Sequence, residues 1–321
     1  MHCIGRLLLV YSLAIACAHA QAWPTKPVRV IVSTGPGLAT DIMARLLNDR
    51  LSKNLNQQFV VDNIAGAAGI VGAQAAARAT PDGYTFYFAP ASALATNHLL
   101  FKSVPYDSLK DFTPVAMVCD TGPFVITVQP DLPVRSLPEL ISYAKANPGK
   151  LSYAFDVSSG YAAIIGQLIN RRTDAGMTEV PYKATAQALQ DTTTGRTQLM
   201  IGSIPASSAF VGAGKLRRIA VSSEKRYAAI PDVPAIAETI PGFNIDGWFA
   251  MVAPTGTPAP IVQRFNREID MVLKDAEVLQ RINQFGLGTS GAGTPQSTGD
   301  FIRSQRDRWA GIVKELGIQP Q

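Results

Sequence analysis

The sequence is poor in the side chains that catalytic and metal centres most often use. Three histidines and three cysteines are spread over 321 residues, and His2, His19, Cys3 and Cys17 all fall within the first twenty. Beyond that segment stand only His98 and Cys119. One cysteine cannot close an intramolecular disulfide, and one histidine cannot build a zinc cluster. The spacings G-x-S-x-G, H-E-x-x-H and C-x-x-C do not occur, so a Ser-His-Asp set would have to be built on His98 alone. No catalytic residue, metal or cofactor is expected. Charge is also sparse, at 17% of residues, and the net charge of +5 comes without a Lys/Arg cluster or a basic strip interleaved with aromatics. That gives no footing for nucleic-acid binding.

What is present is an ordinary globular composition with 47% apolar residues, in a chain long enough for two domains. The first twenty residues read as a secretory signal peptide. His2 and Arg6 precede an apolar run at 7–18, and A-H-A at 18–20 is a small-x-small cleavage pattern before Gln21. The run is shorter than the roughly 20 residues that span a bilayer. Cys17 lacks the leading Leu of a lipoprotein box, so lipid attachment is not expected. Cys119, within VAMVCD, reads as a buried packing residue.

Hydrophobic periodicity alternates between short apolar runs and helical patterns, the mark of an α/β protein. VRVIV leads through a Gly- and Pro-rich turn into a helix with Ile42, Met43, Leu46, Leu47 and Leu51 at helical spacing. FVVDNI, YTFYFA, PVAMV, FVITVQP, KLSYAFD and LRRIAVSS read as further strands, and Ser136 reads as the cap of a helix over 137–146. GWFAMVAPTGTP reads as a strand returning to the first unit. Three amphipathic helices, at 260–273, 276–285 and 297–316, then cover that unit.

Small or hydroxyl-bearing residues recur where strands turn into helices. Residues 35–40, including Gly37, Leu38, Ala39 and Thr40, form the first such turn, and Asp41 stands ready to take backbone donors there. The stretch 92–97, with Ser92, Ala93 and Asn97, and the turn of Ser158, Ser159 and Gly160 repeat the pattern. Open α/β sheets place ligands at such strand ends, and convergent amides and hydroxyls can hold a carboxylate. No Arg or Lys lies in these turns; Lys183 is as fit for solvent or a helix end as for a ligand. Tyr161, Tyr182, Trp248 and Phe249 could line a pocket or pack a core.

A series of motifs in one order carries a family resemblance over nearly the whole mature chain. They include WPTKPVRVIV (23–32), VVDNIAGAAGIVGA (60–73), TPDGYTF (80–86), PYDSLKDFTPVA (105–116), LISYAKANPGKLSYA (140–154), VPYKA (180–184), AGKLRRIAVSSEKR (213–226) and APTGTPAPIV (253–262). The chain resembles the periplasmic solute-binding proteins of tripartite tricarboxylate transporters, the Bug or TctC-like family. The resemblance implies an α/β, two-lobed periplasmic binding protein fold of type II-like character, with two interlobe crossovers and a ligand cleft. It sets lobe 1 at 24–123 plus 247–321 and lobe 2 at 124–246. It implies a small organic acid ligand, a membrane permease as partner, a periplasmic location, and a monomer with no nucleic-acid partner.

By the same resemblance, the ligand carboxylate lies on the turns at 35–41 and 92–97. Lobe 2 adds Ser158 to Tyr161, Lys183, Ala184, Thr185 and the strand end at Ser203. Departures bear on the ligand. Leu38 replaces the second Gly of the usual Pro-Gly-Gly, Phe155, Asp156 and Val157 precede Ser158, Ala163 stands at the usual His, and Ala184 replaces a Gly. They point to a carboxylate with an aromatic or largely apolar body. A ligand-sensing co-receptor for a membrane signalling protein is the alternative within binding functions, and a hydrolytic enzyme the alternative from another class.

Overall fold

A computed structural model of the chain describes residues 23–156 and 160–320. The leader expected at 1–20, with Cys3 and Cys17, lies outside the described residues, as do Ser158 and Ser159. Strand β1 (Val28–Val32) runs into helix α1 (Ala39–Leu55), and β2 (Phe59–Asn63) into α2 (Ile70–Ala77). Next, β3 (Thr85–Pro90) runs through a π turn at Ser92–Thr96 into the short helix α3 (Asn97–Leu100), and β4 (Phe112–Cys119) follows. The chain continues through β5 (Phe124–Val128), α4 (Leu137–Ala146), β6 (Ser152–Asp156), α5 (Tyr161–Thr173), β7 (Thr178–Tyr182), α6 (Thr185–Thr193), β8 (Leu199–Ser203), α7 (Ile204–Gly212) and β9 (Arg217–Val221). It closes with β10 (Phe249–Pro254), α8 (Ala259–Leu273), α9 (Ala276–Gln284) and α10 (Pro295–Leu316).

The strands form two five-stranded mixed sheets, ordered β2-β1-β3-β10-β4 and β7-β6-β8-β5-β9. In the first, β1 pairs parallel with β2 and β3, while β10 returns antiparallel between β3 and β4, as GWFAMVAPTGTP predicts. In the second, β6 is parallel to β7 and β8, and β5 is antiparallel to β8 and β9. This is the two-lobed α/β architecture that the resemblance implies.

Exposed Arg29 apart, the central strands β1, β3 and β10 of the first sheet are largely apolar on both faces because both are covered, while the edge strand β2 is partly exposed. Val28, Val30 and Val32 alternate with Ile31, and Phe86 and Phe88 alternate with Tyr87 and Ala89, each set entering a different core cluster. One face packs on Trp23, Phe265 and Ile269, with the Trp23 and Phe265 rings 5.5 Å apart. The opposite cluster runs from Tyr87 and Phe112 into the second lobe at Ile126, Tyr153 and Leu199. Cys119 is fully buried within β4.

Local capping explains where helices begin. Ser136 accepts from Glu139 N–H at 3.4 Å ahead of α4, and Thr294 accepts from Ser297 N–H at 3.0 Å ahead of α10. Helix α7 has no counterpart in the sequence reading; it is a Ser- and Ala-rich stretch with Pro205 near its start. Helices α8 and α9 join the first lobe's core through Val262, Phe265, Val278 and Ile282. Helix α10 also reaches the second lobe. Its Trp309 stacks on Tyr161 of α5 at 4.7 Å, and Arg172 of α5 forms a paired hydrogen bond with Glu315, both at 2.8 Å.

The two crossovers, between β4 and β5 and between β9 and β10, touch each other. Gly247 N–H donates to Gly122 O at 2.9 Å, and Pro123 bridges Asp246. Only glycine fits at 122, because a Cβ there would lie 2.7 Å from Gly247 O and 2.8 Å from Leu287 Cδ2. A third segment leans on the same place, with Gly288 N–H donating to Thr121 O at 2.7 Å.

Candidate functional site

Since β1, β2 and β3 are parallel, as are β6, β7 and β8, the described residues of the candidate turns stand at or just beyond strand carboxyl ends. The turn from β1 to α1 is built around Asp41. Leu38 holds the position ahead of α1 and offers no side-chain cap. Asp41, 2% exposed in the first turn of the helix, instead reaches back to accept from Gly37 N–H at 2.9 Å. Arg45 Nε donates to its two oxygens at 3.0 and 3.1 Å, and Asn63 Nδ2 donates at 2.8 Å. Asn63 Nδ2 also donates to Thr34 O at 3.0 Å, and its Oδ1 accepts from Arg45 at 2.9 Å. Burial alone would push the Asp41 carboxyl up. The bonds from Arg45, Gly37 and Asn63 outweigh that and hold it below the usual carboxylate range.

The consequence is a turn fixed from behind. Gly37 takes a φ of +84°, which glycine tolerates without strain, and Gly37, Leu38 and Ala39 remain exposed, Leu38 at 56%. Thr40 is buried. Asp41 thus positions the turn, with its oxygens already occupied by protein donors.

The 92–97 turn is braced in the same manner. Tyr106 Oη donates to Ala93 O at 2.8 Å, Ser108 Oγ to Leu94 O at 2.7 Å, and Asn97 Nδ2 to Ala68 O at 3.2 Å. Ala93 and Asn97 are buried, and Ser92 is half-buried. The Asn97 bond ties this turn to the one between β2 and α2, which the sequence reading took as a helix entry and did not count among the candidate site turns. There Gly66, Ala67, Ala68 and Gly69 all have positive φ, at 137°, 45°, 54° and 85°. Two successive alanines in left-handed geometry cost roughly 1 to 2 kcal/mol each, and they mark a segment held by its surroundings. The glycines of AGAAG are the visible signal; the alanine conformations are not legible from residue type.

In the second lobe, Asp156 ends β6 and accepts from Thr185 Oγ1 at 2.5 Å at the start of α6. Asp156 therefore joins the end of β6 to the turn ahead of α6. Lys183 and Ala184 are exposed just ahead of α6, and Ser203 is exposed ahead of α7. Gly160, with φ +47°, precedes α5. Tyr161 is placed between Phe124 and Trp309, with ring centroids 6.0 and 4.7 Å away. Its hydroxyl is buried beside Thr96 of the first lobe without hydrogen-bond geometry, and burial pushes it well above the usual phenol range. Tyr161 therefore packs between Phe124 of the second lobe and Trp309 of α10.

The remaining candidates settle into structural places. Trp248 is buried in the core, and Phe249 stacks on Phe88 at 5.5 Å. Burial, and then the nearby Arg306, lower the His98 imidazole to about 4 against the pull of Asp107, so it is neutral at physiological pH. Among the described residues no group of three or more His, Cys, Asp or Glu is placed to hold a metal ion.

Comparison with known proteins follows this geometry. A family profile described as "Tripartite tricarboxylate transporter family receptor" matches residues 43–318. The chain is 37% identical over 322 residues to Protein BugT of Bordetella pertussis, covering 98% of each. It superposes on the solved structure of R. palustris Rpa4515 with adipate at a TM-score of 0.78 and 35% identity, over 93% of this chain and 100% of that one. MatC (Rpa3494) from Rhodopseudomonas palustris with bound malate gives a TM-score of 0.72 at 28% identity, over 91% and 100%.

Proposed function

The chain belongs to the tripartite tricarboxylate transporter receptor family, and from that premise we propose that it captures a small organic carboxylate with a largely apolar or aromatic body between its lobes. It is a periplasmic solute receptor of the transport type rather than an enzyme, and it serves a membrane permease. Lobe 1 comprises 24–123 with 247–321, and lobe 2 comprises 124–246. The receptor works as a monomer and has no nucleic-acid partner.

The acid group sits on the turns at 35–41 and 92–97. Gly37, Leu38, Ala39, Thr40, Ser92, Ala93 and Asn97 form that wall, and Asp41 keeps it in shape. Ser158, Ser159, Gly160, Tyr161, Lys183, Ala184, Thr185 and Ser203 form the facing wall. Rotation of the lobes about the two crossovers closes the cleft on its ligand without covalent change.

The observation that carries this reading is the latched first turn. Its carboxylate, Asp41, is neutralised by Arg45 and bonded to Gly37, which leaves an exposed turn available to an anion. Relatives solved with adipate and with malate support the ligand class. The exposed Leu38 beside this turn supports the apolar body.

A thermal-shift screen of organic acids followed by calorimetry tests the proposal, because a ligand bound only by the folded state raises apparent stability. Aromatic and long-chain carboxylates should bind more tightly than citrate-like acids. Tight binding of citrate-like acids alone would overturn the assigned ligand body, and no binding by any carboxylate would overturn the reading as a whole.

A further inference from the structure

The crossovers between the lobes carry carboxylates that ligand capture does not use. Asp246 lies on the second crossover, next to Gly247 and bridged to Pro123 on the first. Its Oδ1 is buried and has no hydrogen-bond partner. Asp120 faces it from just beyond β4, Glu224 from just after β9, and Arg308 from α10, the last being the cation of the group. Asp120 is itself bonded, to Thr121 Oγ1 at 3.2 Å and Ser290 N–H at 3.1 Å, and Arg308 gives one donor to Asn244 O at 3.4 Å.

Asp41 shows what a purely structural buried carboxylate looks like here, with both oxygens bonded and a guanidinium alongside. Asp246 has neither arrangement. Burial, and then the charge of Asp120, push its carboxyl up to about 7, while Arg308 and the Gly122 amide pull the other way and Glu224 adds to the rise.

We propose that Asp246 is a proton-operated element of the hinge, such that rotation of the lobes takes up or releases a proton at this carboxyl. The link to ligand release rests on the receptor reading above; the link to lobe rotation does not. The sign follows from burial. A half-buried carboxyl with one oxygen dry and unpartnered and other carboxylates nearby prefers its proton, so protonation stabilises the arrangement described here, in which Gly37, Leu38, Lys183 and Ala184 lie exposed. Rotation that parts the crossovers wets the carboxyl and returns it toward an ordinary acid. Rising pH therefore favours rotation away from this arrangement, and a ligand that closes the cleft binds more weakly as pH falls. For one proton the change is at most about tenfold per pH unit.

Spin labels at Asn54→Cys in lobe 1 and Lys150→Cys in lobe 2, both exposed positions, report the interlobe distance without any ligand. Between about pH 6 and about pH 8 the distribution should move in the unsubstituted hinge and stay fixed in Asp246→Asn. Asp120→Asn, which removes the repelling neighbour, should shift the midpoint to lower pH and decides the matter if Asp246→Asn fails to fold. A distribution indifferent to pH, or one that moves equally in Asp246→Asn, overturns the proposal. Calorimetry with adipate and benzoate over the same range adds the ligand arm. If neither acid binds, the receptor reading is what fails, and the distance measurement still decides the hinge.

Discussion

Asp41 and Asp156 occupy comparable places, each beside a strand-to-helix turn of its own lobe, and the protein treats them differently. Asp41 is buried and accepts from a backbone amide, a guanidinium and a side-chain amide that belong to α1, the preceding turn and the end of β2. Asp156 is half-buried and bonds Thr185 across the neighbouring turn. One lobe thus presents a wall locked to its own sheet, and the other a wall joined turn to turn. On the proposed site, the first wall would fix where the acid group docks, and the second would adjust to the body of the ligand.

The sharpest way to break this contrast is Asp41→Ala. It leaves Gly37 N–H, Arg45 and Asn63 Nδ2 without their acceptor, and unpaired donors to a charged group cost about 2 to 3 kcal/mol even after allowing for the half-exposed Arg45. Urea denaturation should show that loss, and carboxylate affinity should fall with it. Acid should erase the difference. The Asp41 carboxyl is held low in the folded protein, so its contribution is complete above the unfolded carboxylate range near about pH 4. It disappears as pH falls through the folded value.

A second comparison concerns how closely helices approach each sheet. In the first lobe a Cβ at Gly72 would lie 2.5 Å from Ile64 O and 2.8 Å from Ser33 Cβ, and in the second a Cβ at Gly166 would meet the Tyr153 ring at 2.3 Å. The first obstacle includes backbone that cannot turn aside, whereas the second is a side chain. Gly72→Ala should therefore cost about 2 kcal/mol or more and Gly166→Ala less, on the scale of overpacked cores. Thermal unfolding of the two variants, ordered the other way, would show that the first wall is the softer one.

Leu38 tests the recognition side with little effect on stability, because its side chain is already exposed. Leu38→Gly should leave denaturation unchanged and weaken acids with apolar bodies by about fivefold to tenfold, the worth of about 1 kcal/mol of lost apolar contact. Short polar diacids should be indifferent. Calorimetry with one acid of each kind separates the two outcomes.

Much of the architecture could be read from sequence because it is local. β1, β3 and β10 are largely apolar runs, exposed Arg29 of β1 apart, and Ser136 announces α4 through a bond only three residues long, whereas the cap at Thr294, which starts α10 two residues before the expected 297, has no counterpart in the sequence reading. What else escaped depends on distant partners. The left-handed Ala67 and Ala68 are held in a turn that Asn97 bonds from the next strand end, and the Tyr161 and Trp309 stack joins residues far apart in sequence. The same limit applies to the candidate turns. Their small residues pointed to available donors, but residue types alone could not separate a side chain left exposed at the turn, such as Leu38, from one that braces it, such as Asp41.

The smallest effect belongs to the second wall. Thr185→Val keeps the shape of the side chain and removes the bond to Asp156. Because the site is half-exposed, water can replace the lost hydroxyl, and the cost in stability should be about 1 kcal/mol or less. If the second wall adapts to its ligand, affinity should change more than stability does, since freeing the turn between β7 and α6 raises the cost of ordering it on binding. Paired denaturation and calorimetry on this one variant give that ratio. Equal losses in both would mean that the second wall is as rigid as the first.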